Sequence, residues 1–310
     1  IGMDFKYSFR INTKDKGFRE VMTALPPRSV DQGVDYINSI VETRFASGIS
    51  RVAVANYENA LQLHNAPIML IGIAISTAAF PRFTERISQG RPDLFKKEFL
   101  QVLRAMIWIA LPVVVVSFFG RSYFARLIFK RENLEIALIF GALGGAIFFR
   151  TLYTIISRYF YAQKDTRTPL YVSLVTIVLN IYLAYTLSRE TAYGVVGLAI
   201  AQSIVAFVEV MILLSIMYVK DRKLFTADFI VGVVRIFSVT GFSAMAAFIM
   251  VNLFPLAPQE PGFMIFIKLS LIAGVTLLVH LGVSYAFQLK EAIPVVDKIK
   301  KLVLRPVKIQ

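Results

Sequence analysis

The 310-residue sequence contains no cysteine. That excludes disulfides, thiolate metal sites and cysteine nucleophiles. It has only two histidines, His64 and His280, too few and too far apart along the chain for a histidine metal cluster. There is no Gly-x-x-x-x-Gly-Lys phosphate loop, so the chain carries no ATP-hydrolysing motif of that kind. No hydrolytic or redox motif is found either, and the sequence reads as a non-enzyme. Charge is scarce as well, at 17% of residues. The start Ile1-Gly2-Met3 is polar and lacks the charged, apolar and small-residue pattern of a leader. It reads as the later part of a longer chain.

What is abundant is apolar. Hydrophobic residues make up 56% of the chain, and the mean hydropathy is +0.64. Long runs almost free of charge alternate with short basic stretches, as in membrane spans joined by loops. Spanning a bilayer core of ~30 Å takes roughly 20 helical residues. About eight segments qualify: 30–47, 60–80, 99–119, 134–162, 169–187, 193–218, 228–254 and 263–287. The runs are too long and too uniformly apolar for barrel strands. The predicted fold class is all-α, a polytopic membrane helical bundle.

The net charge of +14 sits at span ends, where it serves topology and anionic lipid rather than nucleic acid. With both termini on one side, that side collects 24 of the 34 Lys and Arg residues and the opposite loops six. Four more, Arg44, Arg104, Arg235 and Lys268, fall inside spans. The imbalance predicts cytoplasmic termini. Snorkelling is the expected role of Arg235 and Lys268, and His280 is expected to pack between helices. Residues 120–131 are basic yet fall outside. Tyr123, Phe124, Leu127 and Ile128 recur there at helical spacing, which predicts a short helix lying on the outer surface. From Lys290 the tail is amphipathic, with Val296, Ile299 and Val303 on one face and Lys298, Lys300 and Lys301 around the other. It suits the anionic leaflet, and a solvated basic tail is the alternative.

Polar residues within spans are the candidate functional residues. Asp31, Asp35, Asn38 and Glu42 are spaced 4, 3 and 4, which puts them on one stripe of the first span. Asp31 can serve as an ordinary N-terminal cap, whereas Glu42 lies deeper. Arg44 points elsewhere on the helix and can snorkel. The second span opens with Asn59, Gln62, His64 and Asn65 before Pro67, which predicts an interrupted helix lining a cavity, with an outer interfacial turn as the alternative. Asn180 lies near mid-span in the fifth span. Gln202 and Glu209, seven apart, share a face of the sixth. Glu42, Asn180, Gln202 and Glu209 offer oxygen atoms, which suit sodium or protons. Separate interhelical hydrogen bonds explain the same residues equally well. Gly141, Gly144 and Gly145 form a helix-packing run.

Several segments resemble the MurJ/MviN family of lipid II flippases, within the multidrug/oligosaccharidyl-lipid/polysaccharide (MOP) exporter superfamily. They are Phe160-Tyr-Ala-Gln-Lys-Asp-Thr-Arg-Thr-Pro169, Pro67-Ile-Met-Leu-Ile-Gly-Ile-Ala-Ile-Ser-Thr-Ala-Ala-Phe-Pro-Arg82, Glu42-Thr-Arg-Phe-Ala-Ser47 and Gly194-Val-Val-Gly-Leu-Ala-Ile-Ala-Gln-Ser203. Their order and spacing agree along essentially the whole chain. The resemblance implies a cytoplasmic linker at 1–29 and a six-helix transporter lobe at 30–218. It further implies two additional helices at 219–287, which form a lipid-tail groove in this family, and a basic cytoplasmic tail at 288–310. The family's first lobe is absent from this sequence. It is supplied by the same natural chain or by a partner.

The implied function is to flip an undecaprenyl-pyrophosphate-linked peptidoglycan precursor across the bacterial inner membrane by alternating access. Membrane lipids are the implied surroundings, and no nucleic acid is implied. The implied cavity residues are Asp35, Asn38, Arg44, Gln62 and Glu209. Glu42, Asn180 and Gln202 are the implied ion-coupling residues, for sodium or a proton, and no other cofactor or metal is implied. Two positions depart from the family pattern. Leu61-Gln62 stands where many members have Asp-Arg, and Ala184 stands where a further carboxylate can occur. Two other readings remain open: a cation-coupled multidrug-type exporter, suggested by the acidic Asp35, Glu42 and Glu209 without an obvious counter-arginine, and a non-transporting scaffold.

Overall fold

A computed structural model describes residues 22, 33, 36–129, 134–189 and 191–303. Among these residues the regular structure is helical throughout, with no strand. Twelve helices follow one another: α1 (36–49), α2 (Arg51–Pro67), α3 (Ala74–Ser88), α4 (Pro92–Phe119), α5 (Arg121–Phe129), α6 (Leu134–Ala142), α7 (Gly144–Ala162), α8 (Arg167–Leu187), α9 (Val195–Lys220), α10 (Ala227–Leu253), α11 (Gly262–Ala286) and α12 (Ala292–Val303).

Among the described residues six helices are long and apolar enough to cross a membrane, or seven with the bent pair α6–α7 taken as one span. These seven coincide with the last seven segments expected from hydropathy. The expected first span is described as helix only from 36 to 49, so the count of eight is not reached among the described residues. α2 and α3 form one rod, Arg51–Ser88, without the expected interruption. Pro67 takes away the N–H that the Leu63 carbonyl would bond. The chain answers with a π-helical turn at Ile68–Ile73 and continues.

Sequence chemistry sets the helix ends. Ser50 caps α2 by accepting from the Ala53 N–H at 2.9 Å. Thr226 caps α10 in the same way through Phe229, at 3.3 Å. Pro92 begins α4 and Asp93 sits in its first turn, where a carboxylate suits the helix dipole. The α6–α7 span bends by 42°. Ser203 of α9 causes the bend: its hydroxyl accepts from Ala146 N–H at 3.0 Å and donates to Ala142 C=O at 2.7 Å. It is thus inserted into a helical bond that Ala146 and Ala142 would otherwise share. Gly145 makes room for it, since a Cβ there would lie 3.1 Å from the Ser203 Cβ.

Aromatic packing joins α4 to α7. Tyr159 stacks on Phe95 at 5.0 Å between ring centroids and leans on Phe99 at 4.7 Å. A second core, around Tyr57, Phe140 and Ile147, joins α2, α6 and α7. The hairpin α10–α11 packs on α4 and α5 and is tied to them at three levels. At the Lys/Arg-rich end, Arg104 of α4 bonds Glu291 and, at 3.3 Å, the Asp228 carboxylate. Gly232 leaves space for the guanidinium, because a Cβ there would come within 2.6 Å of it.

Halfway along, His280 bonds Ser243 Oγ through Nδ1 at 3.0 Å and the Trp108 carbonyl through Nε2 at 3.1 Å. That carbonyl is free because residue 112, four positions on, is a proline. A carbonyl can only accept, so Nε2 carries the proton and Nδ1 accepts from Ser243. Trp108 Nε1 in turn donates to Ser284 at 2.9 Å.

At the far end, Tyr123 of α5 donates to the Phe254 carbonyl at 2.5 Å, and Arg126 bonds the Ala257 and Pro258 carbonyls. α5 is the short helix its spacing predicts, and it is packed against the α10–α11 hairpin. Tyr123 is buried against Ile265, Leu269 and Ile272 of α11. Lys268 reaches out of its span to the α10–α11 loop, where it pairs with Glu260 at 2.6 Å and donates to the Pro255 carbonyl at 2.7 Å. Arg235 is exposed, as expected, and His280 is buried between helices.

The pairing of His280 with Trp108 gives a direct test. Replacing His280 by Leu leaves the Trp108 carbonyl unpaired and the Ser243 hydroxyl with only its 3.4 Å bond to the Val239 carbonyl. It should cost about 1–3 kcal/mol of stability, read as a lower unfolding midpoint in detergent. Adding Pro112→Ala restores an N–H for the Trp108 carbonyl and should return part of that loss.

Candidate functional site

The polar side chains of the spans gather along one seam between α1, α7, α8 and α9. Asn180 of α8 is the link to α1. Its Nδ2 donates to Asn38 Oδ1 at 3.1 Å and to Glu42 Oε1 at 3.2 Å. Glu42 is 3% exposed and Asn180 2%. The buried Tyr57 of α2 sets its hydroxyl beside Glu42. An ionisable group this deep must face protein, and here it does.

Seven residues earlier on α8, Ser173 donates to Glu209 Oε1 of α9 at 3.0 Å. The other Glu209 oxygen accepts from Arg150 of α7 at 2.9 Å. The side chains of this pair are 3% and 20% exposed. α8 and α9 run antiparallel, so the register that sets Ser173 beside Glu209 also sets Asn180 level with Gln202. The seam thus has two rungs, about 10 Å apart at 1.5 Å per residue. Among the described residues, the buried oxygens Asn180 Oδ1 and Gln202 Oε1 have no hydrogen-bond partner. The buried Tyr57 hydroxyl beside Glu42 lacks a hydrogen bond too, and unpaired buried polar atoms of this kind are costly.

The expected residues therefore divide. Asn38, Glu42 and Asn180 meet, and Glu209 forms the second rung. Arg44 and Gln62 are exposed and join neither. Asp31 and Asp35 lie outside the described residues. Asn65 is exposed, while His64 is buried. Arg150 escaped the sequence reading, which counted it among the 24 basic residues of the terminal side and not among the four inside spans. It lies in the second turn of α7 and neutralises Glu209, so Glu209 does have a counter-arginine. The signal was present: a lone arginine at position 150, eight residues short of the next basic residue, inside an apolar run. No group of three or more acidic or histidine side chains able to hold a metal occurs among the described residues.

Beside the seam, α4, α7, α9 and α10 enclose a groove of 530 Å³. Leu103, Ile107, Phe148, Phe207, Phe229 and Phe237 help to line it, and every lining residue is apolar or glycine.

The sequence model of the family described as "Lipid II flippase MurJ" matches residues 1–271. The chain belongs to the MurJ family. It is 22% identical over 265 residues to the probable lipid II flippase MurJ of Rhizobium meliloti, covering 83% of this chain and 49% of that protein. It is 28% identical over 209 residues to the Synechocystis protein of the same name, covering 63% of this chain and 37% of that one. The chain thus spans about half the length of the curated MurJ relatives it matches. A solved structure described as "Lipid II flippase MurJ, inward closed conformation" superposes with a TM-score of 0.68 at 21% identity, covering 92% of this chain and 57% of the other. An outward-facing multidrug resistance MATE transporter of the MOP superfamily gives 0.59 at 13% identity, covering 86% and 64%. These likenesses establish the fold as that of MurJ and its superfamily.

The buried ion pair gives a second test. Arg150→Met leaves the Glu209 charge buried and should cost roughly 3–5 kcal/mol. The double variant Arg150→Met/Glu209→Leu should recover most of it in a double-mutant cycle followed by chemical unfolding.

Proposed function

We propose that this chain is the second lobe, with its two additional helices, of a flippase for an undecaprenyl-pyrophosphate-linked peptidoglycan precursor. The observation that carries the reading is the pairing of a polar seam with a separate, wholly apolar groove of 530 Å³. A lipid-linked sugar needs both: a wet path for its headgroup and a dry one for its tail. Family membership supports the cargo class. The lobe reading assigns α1–α9 to six spans and α10–α11 to the additional pair, whose α10 walls the groove. The complementary lobe comes from the remainder of the natural chain or from a partner. It also supplies arginines for the pyrophosphate, a task Gln62 cannot perform.

The protein is a multi-pass membrane protein. We place it in the bacterial inner membrane with the Lys/Arg-rich end in the cytoplasm, on the imbalance of basic residues. Arg150 counts against a cation exporter, because it offsets the charge that such a substrate would seek in Glu209.

Ion coupling is part of this proposal. The donor set of the first rung is all oxygen: the Glu42 carboxylate, Asn38 Oδ1 and the two unpaired amide oxygens. That set suits a hard monovalent cation. Asn180 now presents its Nδ2 to Glu42. With the amide turned over, Oδ1 faces the same point. The chemistry supplied by sodium would be neutralisation of Glu42, which loosens α1 from α8 or binds it more tightly according to occupancy. A proton on Glu42 would do the same with one ligand.

The test uses vesicles holding the natural full-length protein and a labelled precursor. Glu42→Gln and Asn180→Ala should slow translocation at least tenfold and remove its response to a sodium or pH gradient. Unchanged flipping in both variants across both gradients would sink the coupling. Absence of any translocation by the unaltered protein would sink the flippase reading.

A further inference from the structure

α11 ends in a turn that changes the direction of the chain. Gln288 has a φ of +52°, in the left-handed region. Around it the Leu289 N–H bonds the Ser284 carbonyl and the Gln288 N–H bonds the Tyr285 carbonyl, each at 2.9 Å. Such a pair of bonds closes a helix and releases the chain from its axis. Leu289 and Ala292 are buried in the bundle, and Glu291 is held by Arg104 of α4. The start of α12 is thus fixed at the Lys/Arg-rich end. Lys300 fixes its direction. The Lys300 Nζ donates to the Tyr285 hydroxyl at 2.8 Å and lies 4.7 Å from the centroid of that ring. In line with α11, residue 300 would stand 15 residues beyond Tyr285, or about 22 Å, farther than the two side chains can bridge. α12 therefore turns aside from the α11 axis at the end of the bundle.

The bundle covers little of this helix. Ala292 is buried and Val296 partly so, while Ile293, Val295 and Ile299 are exposed. Val295 and Ile299 lie one turn apart beside the covered edge. Lys298 and Lys301, three apart, are exposed on the opposite flank. Within α12 three lysines stand against one acid, Asp297, and Arg305 and Lys308 follow in the sequence. A helix of 12 residues is too short to persist in water on propensity alone, so its apolar edge has to be covered.

We propose that α12 is an in-plane anchor lying on the anionic leaflet at the Lys/Arg-rich end. Val295 and Ile299 rest on the acyl boundary, and Lys298 and Lys301 reach the lipid phosphates. The tie to Arg104 sets the helix where the headgroups begin. Its exposed edge calls for hydrocarbon and its lysine flank for anions, and a leaflet offers both at that one depth. α11 then cannot shift along the membrane normal without lifting α12 off the surface. The proposal stands apart from the flipping reading and from ion coupling, since it needs only α12 and a bilayer.

The experiment is hydrogen–deuterium exchange of the natural full-length protein in nanodiscs. One set is pure phosphatidylcholine and the other contains phosphatidylglycerol as well. The amides of residues 295–301 should exchange about fivefold more slowly in the phosphatidylglycerol discs, with α10 the same in both. Lys298→Gln/Lys301→Gln should erase that difference. Ile299→Glu should speed exchange of α12 in both discs, again with α10 unchanged. Equal exchange of the unaltered α12 in the two discs would overturn the proposal, leaving a solvated tail or a protein partner. A difference that survives the lysine variant would overturn it too. So would an Ile299→Glu variant that exchanges like the parent, because the bundle alone would then hold the helix.

Discussion

Inside a bilayer no water stands ready for a polar group that leaves its helical partner, so the protein itself must supply another. Much of this structure follows from that constraint. Pro112 frees the Trp108 carbonyl, and His280 of the neighbouring hairpin takes it. The carbonyls of the α10–α11 loop are taken by Tyr123, Arg126 and Lys268. The charge of Arg104 is met by Glu291 and Asp228. Hydrophobic attraction does little between helices that are already surrounded by lipid, so ties of this kind, with close packing, decide where α10–α11 sits. The groove exists because the hairpin is held at this distance and no nearer.

The same constraint organises the seam. Glu42 and Glu209 are both buried, and each draws partners from other helices: Asn180 for one, Arg150 and Ser173 for the other. Asn180 and Ser173 are seven apart on α8, as Gln202 and Glu209 are on α9. One helical period therefore places both rungs. The rungs differ in kind. At the lower one a carboxylate meets a guanidinium and is satisfied in charge. At the upper one a carboxylate meets amides, and two amide oxygens are left over.

The spans were legible because hydropathy over twenty residues is a strong signal. It found the six long spans and the bent pair α6–α7, and spacing put Asn38 and Glu42 on one stripe. The helical character of residues 121–129 was legible too, but its burial was not. Spacing tells which side chains share a face, not what another helix brings to it. Arg150 was misplaced for a related reason: a positive charge close to a basic loop looks like the loop's own, and only Glu209, far along the chain, shows otherwise. The interruption expected at Pro67 rested on local rules alone. A π-turn meets the same loss of a bond without breaking the rod.

The bend in α6–α7 is set from outside its own span. Its pin is a hydroxyl that belongs to α9, the helix that also bears Gln202 and Glu209. Any movement of α9 that withdraws Ser203 lets the Ala146 N–H close on the Ala142 carbonyl, and the span straightens. Arg150 rides on the lower half of that span, one turn below the pin. The curvature of one helix and the place of its charge are thus geared to the axial position of another.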